Sequence, residues 1–436
     1  MSLLNSLLLA SALLAVPAFA MAAPADATRI ATQLLDRLDA GDYTAAETAF
    51  NAQMAAAVPA DKLKTVWESL PAQAGAAKGR GQPTVAMHDG VSLVAVPLHY
   101  ANAELVVKIA VAAADGKIVG FLIQPAPPPA AAVPAADAGY SERDLNVGAG
   151  ERALPGTLAL PKGNGPFPGV VLVHGSGPQD RDETIGANRP FLDIARGLAA
   201  QGAAVLRYEK RTKARPQDFA GGDFDVDDET TRDAVAAVAA LRATPGIDPQ
   251  RMFVLGHSQG GMLAPRIAKD SGHVAGLILL AAPARPLLDI LIEQNRRLAA
   301  MDGSVSVEEQ AFIDALTSKV ARIRAGDTLA PVETPLGQPA GYWRSIDKVD
   351  AIAEARAAGK PLLILQGGRD IQVVDADWQR WHSAFDKDPR VTFKRYPALN
   401  HLAIAGEGQG TLAEYQTPGH VDAQLIDDVA TWIRKH

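Results

Sequence analysis

The sequence predicts a two-part chain: a small α+β domain, then a mostly parallel α/β sheet with helices on both faces and a helical insertion. Three observations carry this. Short all-apolar runs such as 170–173 and 252–255 alternate with amphipathic helical stripes through the C-terminal two thirds, the pattern of strands buried on both faces. A Pro/Ala-rich stretch at 126–140 cannot bury a core and reads as the linker ahead of that region. Before it, helical spacing gives way to short β-rich runs, the order of an α+β domain.

In chain order, residues 1–22 hold an apolar run (Leu7, Leu8, Leu9, Leu13, Leu14) followed by Pro17 and small residues, too short to span a bilayer. The run reads as a cleaved signal peptide. Ala18-Phe19-Ala20 is an A-x-A cleavage site, with Ala20-Met21-Ala22 competing, although the first residues offer no Lys or Arg. A retained anchor helix is the alternative. The expected location is periplasmic or secreted, with no stable membrane span after cleavage.

Residues 23–125 form the expected small domain. Ile30, Leu34 and Leu38, then Leu63, Val66, Trp67 and Leu70, lie at helical spacing. Strands are expected at 91–100, 105–112 and 117–123, with Asp89-Gly90 and Asp115-Gly116 as turns. The second domain spans 141–436. Strand 170–173 leads to a helix carrying Phe191, Ile194, Ala195 and Leu198; strand 203–206 leads to one carrying Ala234, Val238 and Leu241. Strands 252–255, 274–280, 362–365 and 391–396 follow. The alternation stops at about 284–348, a helical segment with Ser306 and Glu309 placed as a capping box, expected as an insertion over the carboxyl ends of the strands.

Composition narrows the chemistry. The net charge of −7 over 436 residues is modest and no block of like charge stands out, so neither nucleic acid nor an anionic membrane is an expected partner. The absence of cysteine excludes disulfides, thiolate metal sites and a cysteine nucleophile. Oxygen nucleophiles remain.

Gly256-His257-Ser258-Gln259-Gly260 follows strand 252–255 and opens a helix. In a G-x-S-x-G elbow the serine sits on a sharp, strained turn, and the glycines leave room where a Cβ would collide. The five-residue pattern arises by chance in roughly one chain in five to ten of this length; the strand before and helix after are the selective part. A serine hydroxyl needs a base, and the base an orienting acid. Asp370 follows strand 362–365 at a carboxyl end, where a parallel sheet collects its site. Asp375 and Asp377 are rivals, Asp375 being better read as the N-cap of a helix beginning near Trp378. His401 follows strand 391–396 by a short loop and comes after the acid in sequence, the position for the base. A tetrahedral intermediate needs preorganised donors. The Gln259 N–H is one; Ser176, in the loop His174-Gly175-Ser176-Gly177-Pro178, is favoured for the other, with Gly177 the fallback. Asp180, Arg181, Asp182 and Glu183, just past this loop, could bind substrate but are expected to form a salt bridge within their loop, and Tyr342 and Trp343 either line an acyl pocket or pack on the sheet.

Four separated motifs then carry a resemblance: His174 to Glu183 (HGSGPQDRDE), Arg207 to Thr212 (RYEKRT), the Ser258 elbow and Leu399-Asn400-His401. From about residue 145 onward the chain resembles bacterial carboxylesterases of the α/β-hydrolase fold, in the esterase and serine-peptidase branch, that carry an extra N-terminal domain of unknown function. The resemblance implies acyl-enzyme hydrolysis of a small-molecule ester by Ser258, His401 and Asp370, with no cofactor or metal. A peptidase or amidase with the same triad, and a non-catalytic envelope binding protein on the same scaffold, are the alternatives.

Overall fold

The computed structural model describes residues 24–88, 90–126, 135, 137–220, 222–301 and 303–436. The expected signal peptide lies outside the described residues, as does much of the expected linker. The chain divides into two compact units, Met1–Pro127 and Pro128–His436.

In the first unit, helices Pro24–Asp39, Tyr43–Glu47, Ala52–Ala57 and Ala60–Ala74 precede five strands: β1 (Ala77–Arg80), β2 (Thr84–His88), β3 (Val91–Tyr100), β4 (Glu104–Ala112) and β5 (Ile118–Pro125). All pairings are antiparallel, and β1 and β2 share one edge of β3 while β4 and β5 extend the other. Alternation along β3 explains the packing. Val94, Val96, Leu98 and Tyr100 face inward and join Leu34, Leu35 and Leu38 of the first helix in one core.

The second unit is built on eight strands: β6 (Tyr140–Asp144), β7 (Gly156–Pro161), β8 (Phe167–Val173), β9 (Ala204–Tyr208), β10 (Ile247–His257), β11 (Gly276–Leu280), β12 (Leu362–Gly367) and β13 (Val391–Tyr396). Their order is β13-β12-β11-β10-β8-β9-β7-β6. From β9 to β13 neighbours pair in parallel; β6 and β7 form an antiparallel edge. Alternate residues of each strand enter opposite cores. Val171, Val173 and Val254 pack with helices Arg232–Arg242, Gln259–Ser271 and Asp375–Phe385, whereas Val170, Leu172, Phe253 and Leu255 pack with helices Pro190–Ala200 and Ala423–Lys435. Burial on both faces accounts for the continuous apolar strands.

The insertion falls between β11 and β12, with helices Leu287–Ala299, Val307–Ala325 and Ala340–Asp347. The Ser306 hydroxyl accepts from the Glu309 N–H at 3.1 Å, and the Glu309 carboxylate accepts from the Ser306 N–H at 2.9 Å, completing the capping box.

Candidate active site

β10 ends at His257 and the next helix starts at Gln259, leaving Ser258 as the whole of the turn, with φ +52° and ψ −120°. Non-glycine residues rarely hold such a backbone, and it is the strained geometry of an elbow. Room for it comes from the glycines. A Cβ on Gly256 would lie 2.2 Å from the Gly260 carbonyl oxygen, and one on Gly260 would lie 2.2 Å from that of Val173. The helix start is thereby pressed against the end of β8.

Asp370 and His401 come from the loops after β12 and β13. His401 Nδ1 lies 2.8 Å from Asp370 Oδ2, and both side chains are buried. Asp370 Oδ1 accepts the N–H groups of Gln372 and Val373 at 2.8 and 3.0 Å, and its Oδ2 also accepts from Gln366 Nε2 at 3.1 Å. Three donors besides His401 therefore fix the carboxylate. His401 reaches the elbow directly: its carbonyl accepts from His257 Nε2 at 2.9 Å, and the two imidazole centroids are 4.7 Å apart. The rival carboxylates are engaged elsewhere. Asp377 binds Arg285 at 2.7 Å and the Ala284 N–H at 2.9 Å; Asp375 pairs with Arg395 at 2.7 Å. Asp375 is not the helix cap expected from the sequence. The helix begins at Asp375 itself, since the Val374 carbonyl already accepts from the Asp377 N–H at 2.9 Å, and the Asp375 side chain turns to Arg395.

The loop after β8 places Ser176 next to Gly175, where a Cβ would lie 3.3 Å from that of Ser258. Gly175 is held on both sides: its N–H donates to Glu183 Oε1 at 2.7 Å, and its carbonyl accepts from Lys210 Nζ at 2.9 Å. Gln259 is fully buried, and its side chain donates to Glu229 Oε2 at 2.7 Å. Tyr342 of the insertion donates to Gln259 Oε1 at 3.3 Å, and Trp343 donates to the Pro335 carbonyl at 3.0 Å; both rings belong to the core.

The acidic run from Asp180 does not pair within its loop as expected. Arg181 reaches Glu209 at 2.8 Å and Asp182 reaches Arg207 at 2.9 Å, across to the end of β9, which supplies one partner of each sign. Glu183 faces His257 Nδ1 at 2.9 Å, an ionic contact without straight hydrogen-bond alignment. Burial alone would raise the Glu183 carboxyl, but the His257 imidazole outweighs it and holds the group below its ordinary range. Burial opposes protonation of His257, yet Glu183 outweighs that and lifts the imidazole above its ordinary range. Burial pushes the neighbouring His174 down to about 4, its Nε2–H donating to the Asp180 carbonyl at 3.0 Å.

Gln366, Lys210 and Glu229 escape sequence reasoning. Gln366 is the one polar residue inside the apolar β12 run, a signal that would have singled it out. Lys210 is marked only as part of the Arg207 to Thr212 motif, and nothing local marks Glu229. Among the described residues, no His, Asp and Glu cluster is arranged to hold a metal ion.

Residues 169–408, more than half of the chain, match the family model described as serine aminopeptidase, S33. The chain belongs to this S33 family of α/β-hydrolases. Residues 31–121 match a second family, described only as a protein of unknown function. The chain is also 40% identical over 296 residues to Esterase EstD of Thermotoga maritima, covering 68% of each protein. Similar solved structures include Est1E from Butyrivibrio proteoclasticus (15% identity, 67% of this chain and 98% of that one, TM-score 0.44). Another is the Pyrococcus furiosus esterase Pf2001 (14% identity, 71% and 97%, TM-score 0.43). In this S33 chain, no helix among the described residues is long and apolar enough to cross a membrane.

Proposed function

We propose that this S33 hydrolase is a carboxylesterase for short or medium acyl esters, working through an acyl-enzyme intermediate. The observation that carries the reading is the buried Asp370–His401 hydrogen bond beside a strained serine elbow. Ser258 Oγ attacks the ester carbonyl carbon and passes its proton to His401 Nε2. Asp370 holds the Nδ1–H, which fixes the tautomer that leaves Nε2 free to accept, and stabilises the imidazolium. The Ser176 and Gln259 N–H groups take the developing oxyanion. His401 then protonates the departing alcohol, and water hydrolyses the acyl-enzyme by the same steps in reverse.

The 40% identical relative is named an esterase, which favours oxygen esters. The family description names an aminopeptidase, so cleavage of aminoacyl amides is the second reading. Comparing kcat/KM for p-nitrophenyl acyl esters with that for aminoacyl p-nitroanilides separates them; a preference for the anilides overturns the esterase assignment. Labelling of wild type but not Ser258→Ala by a fluorophosphonate checks the nucleophile, and labelling of both variants alike would refute it. We further propose export to the periplasm or medium after removal of residues 1–22. Mass spectrometry of the N-terminus in each cell fraction tests this, an intact leader on the mature protein being the contrary result.

A further inference from the structure

We infer that the buried Lys210–Glu229 ion pair is the positioning device of the oxyanion hole, setting both of its N–H donors at once. The inference rests on the site reading above.

Lys210 and Glu229 are almost fully buried, with Nζ 2.6 Å from Oε1. Two charges taken out of water are a poor choice for stability alone, since well-packed apolar groups often do as well. Their remaining bonds point to the elbow. Lys210 Nζ also donates to the Gly175 carbonyl at 2.9 Å. In a planar trans peptide the carbonyl and the following N–H point in opposite directions, so holding the Gly175 oxygen aims the Ser176 N–H. A cation on that oxygen also polarises the peptide and strengthens its N–H as a donor. The Gly175 N–H is tied to Glu183 at 2.7 Å, so the loop cannot turn away.

The carboxylate end serves the second donor. Glu229 Oε2 accepts from Gln259 Nε2 at 2.7 Å and from the Thr230 hydroxyl at 3.0 Å. Gln259 follows Ser258, so fixing its side chain fixes the first residue of the helix whose N–H faces the oxyanion. The backbone around Glu229 is unusual as well. Asp227–Thr231 is a π-helical turn opening helix Arg232–Arg242, and Glu229, Thr230 and Thr231 in it are all buried. Such turns are rare and concentrate at functional sites. One ion pair thus joins the loop after β8, the start of the helix after β10 and this π turn.

The test uses the full chain and p-nitrophenyl butyrate as substrate, with a trifluoromethyl ketone as a reversible oxyanion mimic. Lys210→Met should lower kcat by at least about ten-fold, a fraction of what losing an oxyanion donor costs. KM should stay nearly unchanged, and the ketone should bind more weakly in proportion to kcat. Lys210→Met/Glu229→Leu, which removes both charges, should recover the wild-type thermal midpoint but not kcat. Recovery of kcat along with stability, or wild-type kcat in Lys210→Met, overturns the inference. Should neither variant fold, the shape-preserving Glu229→Gln decides: a kcat deficit without a KM change supports the inference and an unchanged kcat overturns it. Ester turnover surviving Ser258→Ala would instead refute the site reading itself, a distinct result.

Discussion

Asp370 accepts as many donors as an ionised carboxylate has room for. Two backbone N–H groups and Gln366 fix it before His401 is counted, so its orientation, as well as its charge, is built in. Asp370→Asn should therefore leave the fold intact while presenting either the wrong atom or the wrong tautomer to His401. Single-turnover ester kinetics should show kcat lower by about 10³ to 10⁴, with the thermal midpoint little moved; a loss under ten-fold would remove Asp370 from the triad. His174 carries a different prediction. Its buried ring titrates at about 4 against an ordinary 6.5. Unfolded chains therefore take up a proton between those values that the folded ring refuses. Stability is fully present above pH 6.5 and falls as pH drops toward 4, by about 3 kcal/mol from this group. Urea unfolding at several pH values should show that slope in wild type and a flatter one in His174→Phe; parallel slopes would sink the assignment.

At the scale of elements, glycines that look alike in sequence do different things. A methyl on Gly260 would collide with the Val173 and His174 carbonyl oxygens at 2.2 and 2.6 Å, backbone atoms at the end of a central strand. Gly272 closes the same helix at φ +67° with open space around it. Gly260→Ala should cost about 3 kcal/mol or more and abolish turnover, whereas Gly272→Ala should cost only about 1 to 2 kcal/mol and leave turnover intact. Denaturant midpoints and ester rates on both variants check this, and equal costs would refute it. The contrast bears on what the sequence discloses. Strands buried on both faces, β8, β10 and β12, announce themselves as apolar runs, and because a parallel sheet collects its loops at one end, the placing of Ser258, Asp370 and His401 after successive strands was legible from order, as was the Asp370–His401 pairing. β1 was not: Ala77–Arg80 is largely exposed and has no alternation to detect. Lys210 and Glu183 lie in motifs that the sequence displays, but their contacts, like those of Glu229, were hidden for another reason. These hydrogen bonds join residues 8 to 35 positions apart, and no local period encodes such a pairing.

On the scale of the whole molecule, Ser258, Asp370, His401 and the residues that hold them all lie within Pro128–His436. That unit also has both of its hydrophobic cores to itself, while the first unit closes a separate core around Leu34, Leu35, Val94 and Val107. A unit with its own core is expected to fold alone, and no group of the triad or of the oxyanion supports would be lost by removing the other. Residues 139–436 expressed alone should therefore retain the parent's kcat/KM on a small activated ester such as p-nitrophenyl acetate. They should also keep the sensitivity of that rate to Lys210→Met. A truncated chain that is folded by circular dichroism yet inactive on this ester would show that the first unit completes the site, and would overturn the assignment of catalysis to the second unit alone. If turnover of small esters survives but that of bulkier ones falls, the first unit acts on substrate access and leaves the chemistry of Ser258 untouched.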